Sequence, residues 1–207
     1  MIAIIDYGMG NVRSLMNAFA YIGQDAIVTR DLYELEQADR LVLPGVGAFG
    51  AAMAAIRANE LQRPLNRLAL EVRKPILGVC LGMQLFARSS LEHGEHEGLG
   101  WLDAEVVPLE VLPPAKVPHV GWNVLRFEPD DWLFRGIPSA HSDVYFVHSF
   151  HMLCRDTADR VATTDHGGEI TAVVRRANLV AAQFHPEKSQ DNGLQILQNW
   201  IARDFAC

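Results

Sequence analysis

Cys80 lies in Pro75-Ile76-Leu77-Gly78-Val79-Cys80-Leu81-Gly82-Met83-Gln84-Leu85, where a short apolar run meets a segment of helical character. Ile76 to Val79 reads as a buried strand, and Met83 to Ala87 as the start of a helix. A cysteine at that junction, between Gly78 and Gly82, matches a nucleophile elbow, a tight turn that lifts one side chain above a sheet. Small flanking residues let a substrate approach the backbone, and a helix N-terminus behind the sulfur favours the nucleophilic thiolate. The same string suits a buried thiol packed as a small hydrophobe equally well.

A catalytic cysteine needs a base, and the base needs a group to orient it. Among eight histidines, His185 stands out because Gln183-Phe184-His185-Pro186-Glu187 follows an apolar run. Pro186 holds His185 in extended geometry, and residues two apart in an extended chain project to one side. Glu187 is thereby placed to accept the imidazole N–H and fix its tautomer. A solvent-exposed His and Glu at a strand end is the plainer reading of the same tripeptide. For a developing oxyanion, the glycines of Pro44-Gly45-Val46-Gly47 can turn backbone N–H groups inward, and the first amides after Cys80 offer further donors.

These groups require a scaffold that gathers them. Ile2–Ile5, Ala26–Thr29, Leu41–Leu43 and Ile76–Val79 read as strands. Helical stretches over 11–20, after Asp31, over 49–57 and over 65–72 separate them. Apolar strands alternating with helices predict a mostly parallel α/β sheet covered on both faces, with reactive groups beyond the carboxyl ends of the strands. The second half is β-rich, over 104–107, 122–127, 144–148, 161–164, 171–175 and 180–184. These are expected as antiparallel additions to that sheet, with an amphipathic helix over 189–205 closing a single domain, 1–207.

Composition narrows the class. The 207 residues are 49% hydrophobic and 21% charged, with a net charge of −7. That balance predicts a soluble globular protein and argues against nucleic-acid or anionic-membrane surfaces. Three distant cysteines suggest no disulfide framework, the N-terminus lacks a signal-peptide pattern, and no apolar run reaches spanning length. A cytoplasmic location is expected. Glu92-His93-Gly94-Glu95-His96-Glu97 has metal-site composition but sits in a glycine-broken loop, so no metal and no cofactor is expected.

Gly78-Val79-Cys80-Leu81-Gly82-Met83-Gln84, Phe184-His185-Pro186-Glu187 and Pro44-Gly45-Val46-Gly47 together resemble the class I, triad-type glutamine amidotransferases. Ile5-Asp6-Tyr7-Gly8-Met9-Gly10-Asn11, Pro118-His119-Val120-Gly121-Trp122-Asn123 and Tyr145-Phe146-Val147-His148-Ser149-Phe150 narrow the resemblance to glutaminase subunits of imidazole glycerol phosphate synthase. One departure is His151, where those subunits commonly carry tyrosine; it leaves the wall near Phe150 open. The rival readings are the glutaminase subunit of another synthase, another cysteine hydrolase on a related sheet, and a non-enzymatic scaffold of the same fold.

The resemblance implies a triad of Cys80, His185 and Glu187 that hydrolyses glutamine through a thioester. It implies oxyanion donors at Val46, Gly47 and Leu81, and glutamine binding by Gly45, Gln84, His148, Ser149 and Phe150. It implies a heterodimer with a (β/α)₈-barrel cyclase, which takes the ammonia. The expected interface comprises Asn11, Lys188 and the apolar, Trp-containing segment Pro118, His119, Val120, Gly121, Trp122 and Asn123. The alternative for Trp122 is a plug at the edge of the chain's own core.

Overall fold

The computed structural model describes residues 1–205; Cys207 lies outside the described residues. The chain alternates β1 (Ile2–Ile5), α1 (Val12–Tyr21), β2 (Ala26–Thr29), α2 (Leu32–Gln37), β3 (Arg40–Leu43), α3 (Phe49–Ala58) and α4 (Gln62–Asn66). A π-helical turn over Arg67–Glu71 leads to β4 (Ile76–Val79) and α5 (Leu81–Gln84). Next come β5 (Ser89–Ser90), β6 (His96–Glu97), β7 (Ala104–Pro108), β8 (His119–Val124), β9 (Arg126–Phe127) and β10 (Asp143–His148). The remainder is β11 (Phe150–Cys154), β12 (Arg160–Asp165), β13 (Glu169–Arg176), β14 (Leu179–Ala182) and α6 (Gln190–Ala202).

The main sheet has the order β2-β1-β3-β4-β14-β13-β12-β9. Its first five strands are parallel and the last three antiparallel. β1, β4 and β14 are buried along their whole length, as apolar strands covered on both faces must be. Leu35, Phe49, Met53 and Ile56 pack on one face; Leu15, Phe19, Leu197 and Trp200 pack on the other. The predicted α/β architecture is therefore the observed one. No helix is long and apolar enough to cross a membrane among the described residues.

Three local expectations change. The run 122–127 is not one strand: Leu125 is buried, and its amide bonds to Ser142. That kink sends β9 into the main sheet while β8 pairs with β10 as a separate two-stranded sheet. A further four-stranded sheet, β11-β7-β5-β6, uses short polar strands that carry little periodicity, so the second half does more than extend the main sheet.

The helix after Cys80 is the third. α5 is a single turn, and Phe86 and Ala87 leave it by tighter i→i−3 bonds to Met83 and Gln84. So short a helix aligns few peptide dipoles, and the macrodipole contributes little to the sulfur. Gly78 and Gly82 also serve packing, not substrate access. A Cβ on Gly82 would lie 1.9 Å from the Leu43 carbonyl oxygen, and one on Gly78 would lie 2.9 Å from Ala181 Cβ. The elbow is wedged against β3 and β14. Gly82→Ala is expected to lower stability by about 3 kcal/mol, the cost of overpacking against backbone that cannot yield. A melting temperature within about 2 °C of wild type would contradict this.

Candidate active site

Cys80 leaves β4 beside β14, because Val79 pairs with Ala182 and the Cys80 amide bonds to the Ala182 carbonyl at 2.8 Å. Its backbone is strained, with φ +55° and ψ −112°. A non-glycine residue held there costs of order 1–3 kcal/mol and persists only where its surroundings enforce it. The strain turns the sulfur out of the sheet into a cavity of about 650 Å³ that also contains His185.

His185 is buried, with extended backbone, and its amide bonds to Tyr145 O at 3.0 Å. Its Nδ1 donates to Glu187 Oε1 at 2.8 Å, between side chains only 2% and 1% exposed. Glu187 reaches the ring from a 3-10 turn over Pro186–Lys188, not from extended chain, so the predicted pairing arises by a different backbone route. Ser189 Oγ anchors that turn, donating to His185 O and accepting from Tyr145 N. Burial by itself would favour the neutral ring. The Cys80 sulfur and the Glu187 carboxylate outweigh it, and His185 is pushed up to about 9. The arrangement favours an imidazolium beside the Cys80 sulfur, the charged neighbour a cysteine nucleophile uses.

The structure brings most of the residues named for the wall to one cavity. Val46, Gly47 and Leu81 border the sulfur, and Gln84, His148, Ser149 and Phe150 complete the opposite side. Gly45 does not join them. It is buried, and a Cβ there would lie 2.7 Å from Gly82 N and 2.9 Å from the Tyr7 hydroxyl, so its role is close packing of this loop on the elbow. Gly47 has φ +101°, a conformation that suits glycine. Gln84 donates to Phe150 O and to Gln183 Oε1, both at 3.0 Å, which leaves its own carbonyl oxygen free to accept.

Four further lining residues lie outside the expected wall: the sequence marks Glu92 and His93 only by metal-site composition and Pro118 only as an interface residue, and Val147 stands unassigned between Tyr145 and His148. Glu92 and His93 come from the acidic loop, where positive φ at His93 and Gly94 folds the chain back over the cavity. Glu92 Oε2 accepts from the Phe49 amide at 2.6 Å, and the His93 ring meets Phe150 edge-on. His96 turns away and packs on Gly50. Pro118 and Val147 line the cavity where it meets β8 and β10. His151 lies on β11 with its Nδ1 buried and unpaired; Phe150, not His151, forms the wall.

The segment expected at an interface divides by strand alternation. Val120, Trp122 and Val124 face outward, with Trp122 47% exposed, so Trp122 does not plug the core. His119 is the correction: it is buried, stacked on Phe146 and His166, and its Nδ1 lies 2.9 Å from His148 Nε2. Burial holds both imidazoles neutral, lowering His119 to about 4 and His148 to about 3. Asn123 turns inward to His119 and Asp165 O. Lys188 is exposed at the cavity rim over the Tyr145 ring. Asn11 stands at the N-cap of α1 but makes no side-chain cap bond.

Comparison with known proteins agrees with this geometry. The family model "Glutamine amidotransferase class-I" matches residues 3–203. The imidazole glycerol phosphate synthase subunit HisH of Sulfurimonas denitrificans is 47% identical over 203 residues, covering 97% of each chain. That of Rhodopirellula baltica is 45% identical over 200 residues, covering 97% of this chain and 96% of the other. Among solved structures, PurLQS from Thermotoga maritima superposes with a TM-score of 0.71 over 97% of this chain and 96% of that one, at 19% identity, a likeness of fold alone. With a family model spanning residues 3–203 and HisH relatives 47% and 45% identical over nearly their whole length, the chain belongs to the class-I glutamine amidotransferases, in the group of HisH subunits of imidazole glycerol phosphate synthase.

Proposed function

We propose that this chain hydrolyses glutamine at Cys80 and delivers the ammonia to a cyclase subunit with which it forms a heterodimer. The observation that carries the reading is the buried Cys80–His185–Glu187 triad opening into one cavity with the Val46–Gly47 loop. The Cys80 thiolate attacks the side-chain amide carbon of glutamine, and the oxygen takes the charge. Backbone amides of Val46, Gly47 and Leu81 serve that oxyanion. His185 passes its proton to the leaving nitrogen, releasing ammonia and a γ-glutamyl thioester. Water then gives a proton to His185 and attacks the thioester, forming glutamate and restoring the thiol pair. Glu187 holds the ring throughout. The free Gln84 carbonyl suits the substrate's ammonium group, and the Ser149–Phe150 backbone its carboxylate.

The ammonia has a short way out. Pro118, Val147 and Lys188 border the cavity, and the exposed apolar face of Val120, Trp122 and Val124 continues from that rim. An apolar patch beside a reactive cavity is suited to a partner that excludes water. Ammonia kept from water stays unprotonated. The cyclase, a (β/α)₈ barrel, would use it to convert the ribulosylamino ribonucleotide PRFAR to imidazole glycerol phosphate and AICAR, in the cytoplasm. The test is glutamine hydrolysis by this chain alone, with the cyclase, and with the cyclase plus its ribonucleotide. Hydrolysis that rises with partner and ligand is expected; equal rates in all three would reject the coupling.

A further inference from the structure

Gln183 has no part in the chemistry above, yet it sits beside the sulfur. It is the first residue beyond β14, fully buried, and the strand pairing places it next to Cys80. Its Nε2 is 3.9 Å from Cys80 Sγ, and its Oε1 accepts from Gln84 Nε2 at 3.0 Å. The amide orientation is dictated from outside. Phe150 O accepts from Gln84 Nε2, so the Gln84 amide nitrogen must face that carbonyl. The nitrogen's second hydrogen then requires an acceptor, which fixes Gln183 Oε1 toward Gln84 and Gln183 N–H toward the sulfur.

The constraint extends beyond Phe150. Its carbonyl also accepts from His148 Nδ1 at 2.9 Å. A neutral His148 must therefore accept at Nε2, from His119 Nδ1 at 2.9 Å; His119 must in turn accept at Nε2, from Asn123 Nδ2 at 3.2 Å. Each donor is forced by the next acceptor. We infer that Gln183 is a positioning residue that aims a hydrogen-bond donor at the Cys80 sulfur, its direction fixed through Gln84 by the Phe150 carbonyl, on which the ordered chain Asn123–His119–His148 also converges. A neutral donor favours the thiolate without competing with His185 for the proton. The chain begins on β8, the strand whose outer face carries Val120 and Trp122, so a partner that shifts β8 would act on the nucleophile by moving the Phe150 carbonyl that orients Gln84. This last step rests on the partner proposed above; the role of Gln183 does not.

Alkylation of Cys80 by iodoacetamide tests the inference without glutamine or partner. The other titratable groups around the sulfur, His185 and Tyr7 beside it and Glu92, His93, His148 and Lys188 across the cavity, stay the same in every variant. Gln183→Glu keeps the acceptor for Gln84 and replaces the donor with a carboxylate oxygen; Gln183→Met removes both. In either folded variant, alkylation at pH 7 should slow by about tenfold and its pH midpoint should rise. An unchanged pH profile would overturn the role of Gln183. His119→Phe should slow alkylation by about threefold; wild-type behaviour there, with slowed Gln183 variants, would overturn the chain. If neither Gln183 variant folds, side-chain amide NMR of the wild-type protein decides. A glutamine amide proton that titrates with the thiol, and is flat in Cys80→Ala, supports the contact; its absence overturns it. Normal alkylation without glutamine hydrolysis would speak against the substrate reading alone.

Discussion

Cys80→Ala is expected to abolish glutamine-driven synthesis by the two-subunit complex, with a loss of at least about 10⁴-fold, while ammonia-driven synthesis stays at the wild-type rate. The thioester cannot form without the sulfur, and no second thiol among the described residues can replace it. Cys154 is on β11, far in sequence from the elbow, and burial pushes its thiol up to about 11, with Asp159 adding to the effect. Such a thiol carries almost no thiolate at neutral pH. Alanine should also cost little structurally: it removes the sulfur's long contacts with Val147 O and Gln183 Nε2, at 4.0 and 3.9 Å, and its contact with His185. The fold therefore persists and the ammonia reaction reports on it. Retained glutamine-driven synthesis would remove Cys80 from the mechanism; loss of both reactions would show that the substitution damaged the complex.

Much of this site is legible in the residue order because its parts are local. Ile76–Val79 is apolar and short, so it must be a buried strand, and the residue after it must leave the sheet at a carboxyl end. Pro186 likewise constrains His185. What spacing could not reveal depends on meetings between distant segments. Gly45 carries no mark that distinguishes a substrate contact from a packing contact until Gly82 and Tyr7 are seen against it. His119 reads as part of an apolar surface segment, yet strand alternation places Val120 and Trp122 outside and His119 inside. The alternation was readable once β8 is known to begin at His119; the break at Leu125, made by Ser142, was not. Glu92 and His93 reach the cavity through two left-handed residues, and a loop path of that kind has no periodicity to read. Gln183 is the clearest case. One residue past a strand, it would pass for an ordinary edge polar group, and only the pairing of β14 with β4 puts it on the sulfur.

Glu187→Gln should reduce glutamine hydrolysis by about 10³- to 10⁴-fold while preserving the fold. The carboxylate accepts from His185 Nδ1 at 2.8 Å inside protein, with its side chain only 1% exposed. The amide can present its nitrogen to the ring, which forces the proton to Nε2 and presents the wrong tautomer to Cys80. If it presents oxygen instead, it orients the ring but supplies no charge to hold the imidazolium. A stability measurement separates these effects from general damage. His185 is raised from 6.5 to about 9 in the folded protein. A raised folded value contributes stability that is fully present below about 6.5 and disappears as pH rises through about 9. For a shift of that size the contribution is at most about 3 kcal/mol. The wild-type advantage over Glu187→Gln in denaturant unfolding should therefore be largest near pH 6 and shrink steadily toward pH 9. A difference that stays flat across that range would mean that Glu187 orients His185 without stabilising its charge, and the ion-pair account of the nucleophile would fall with it.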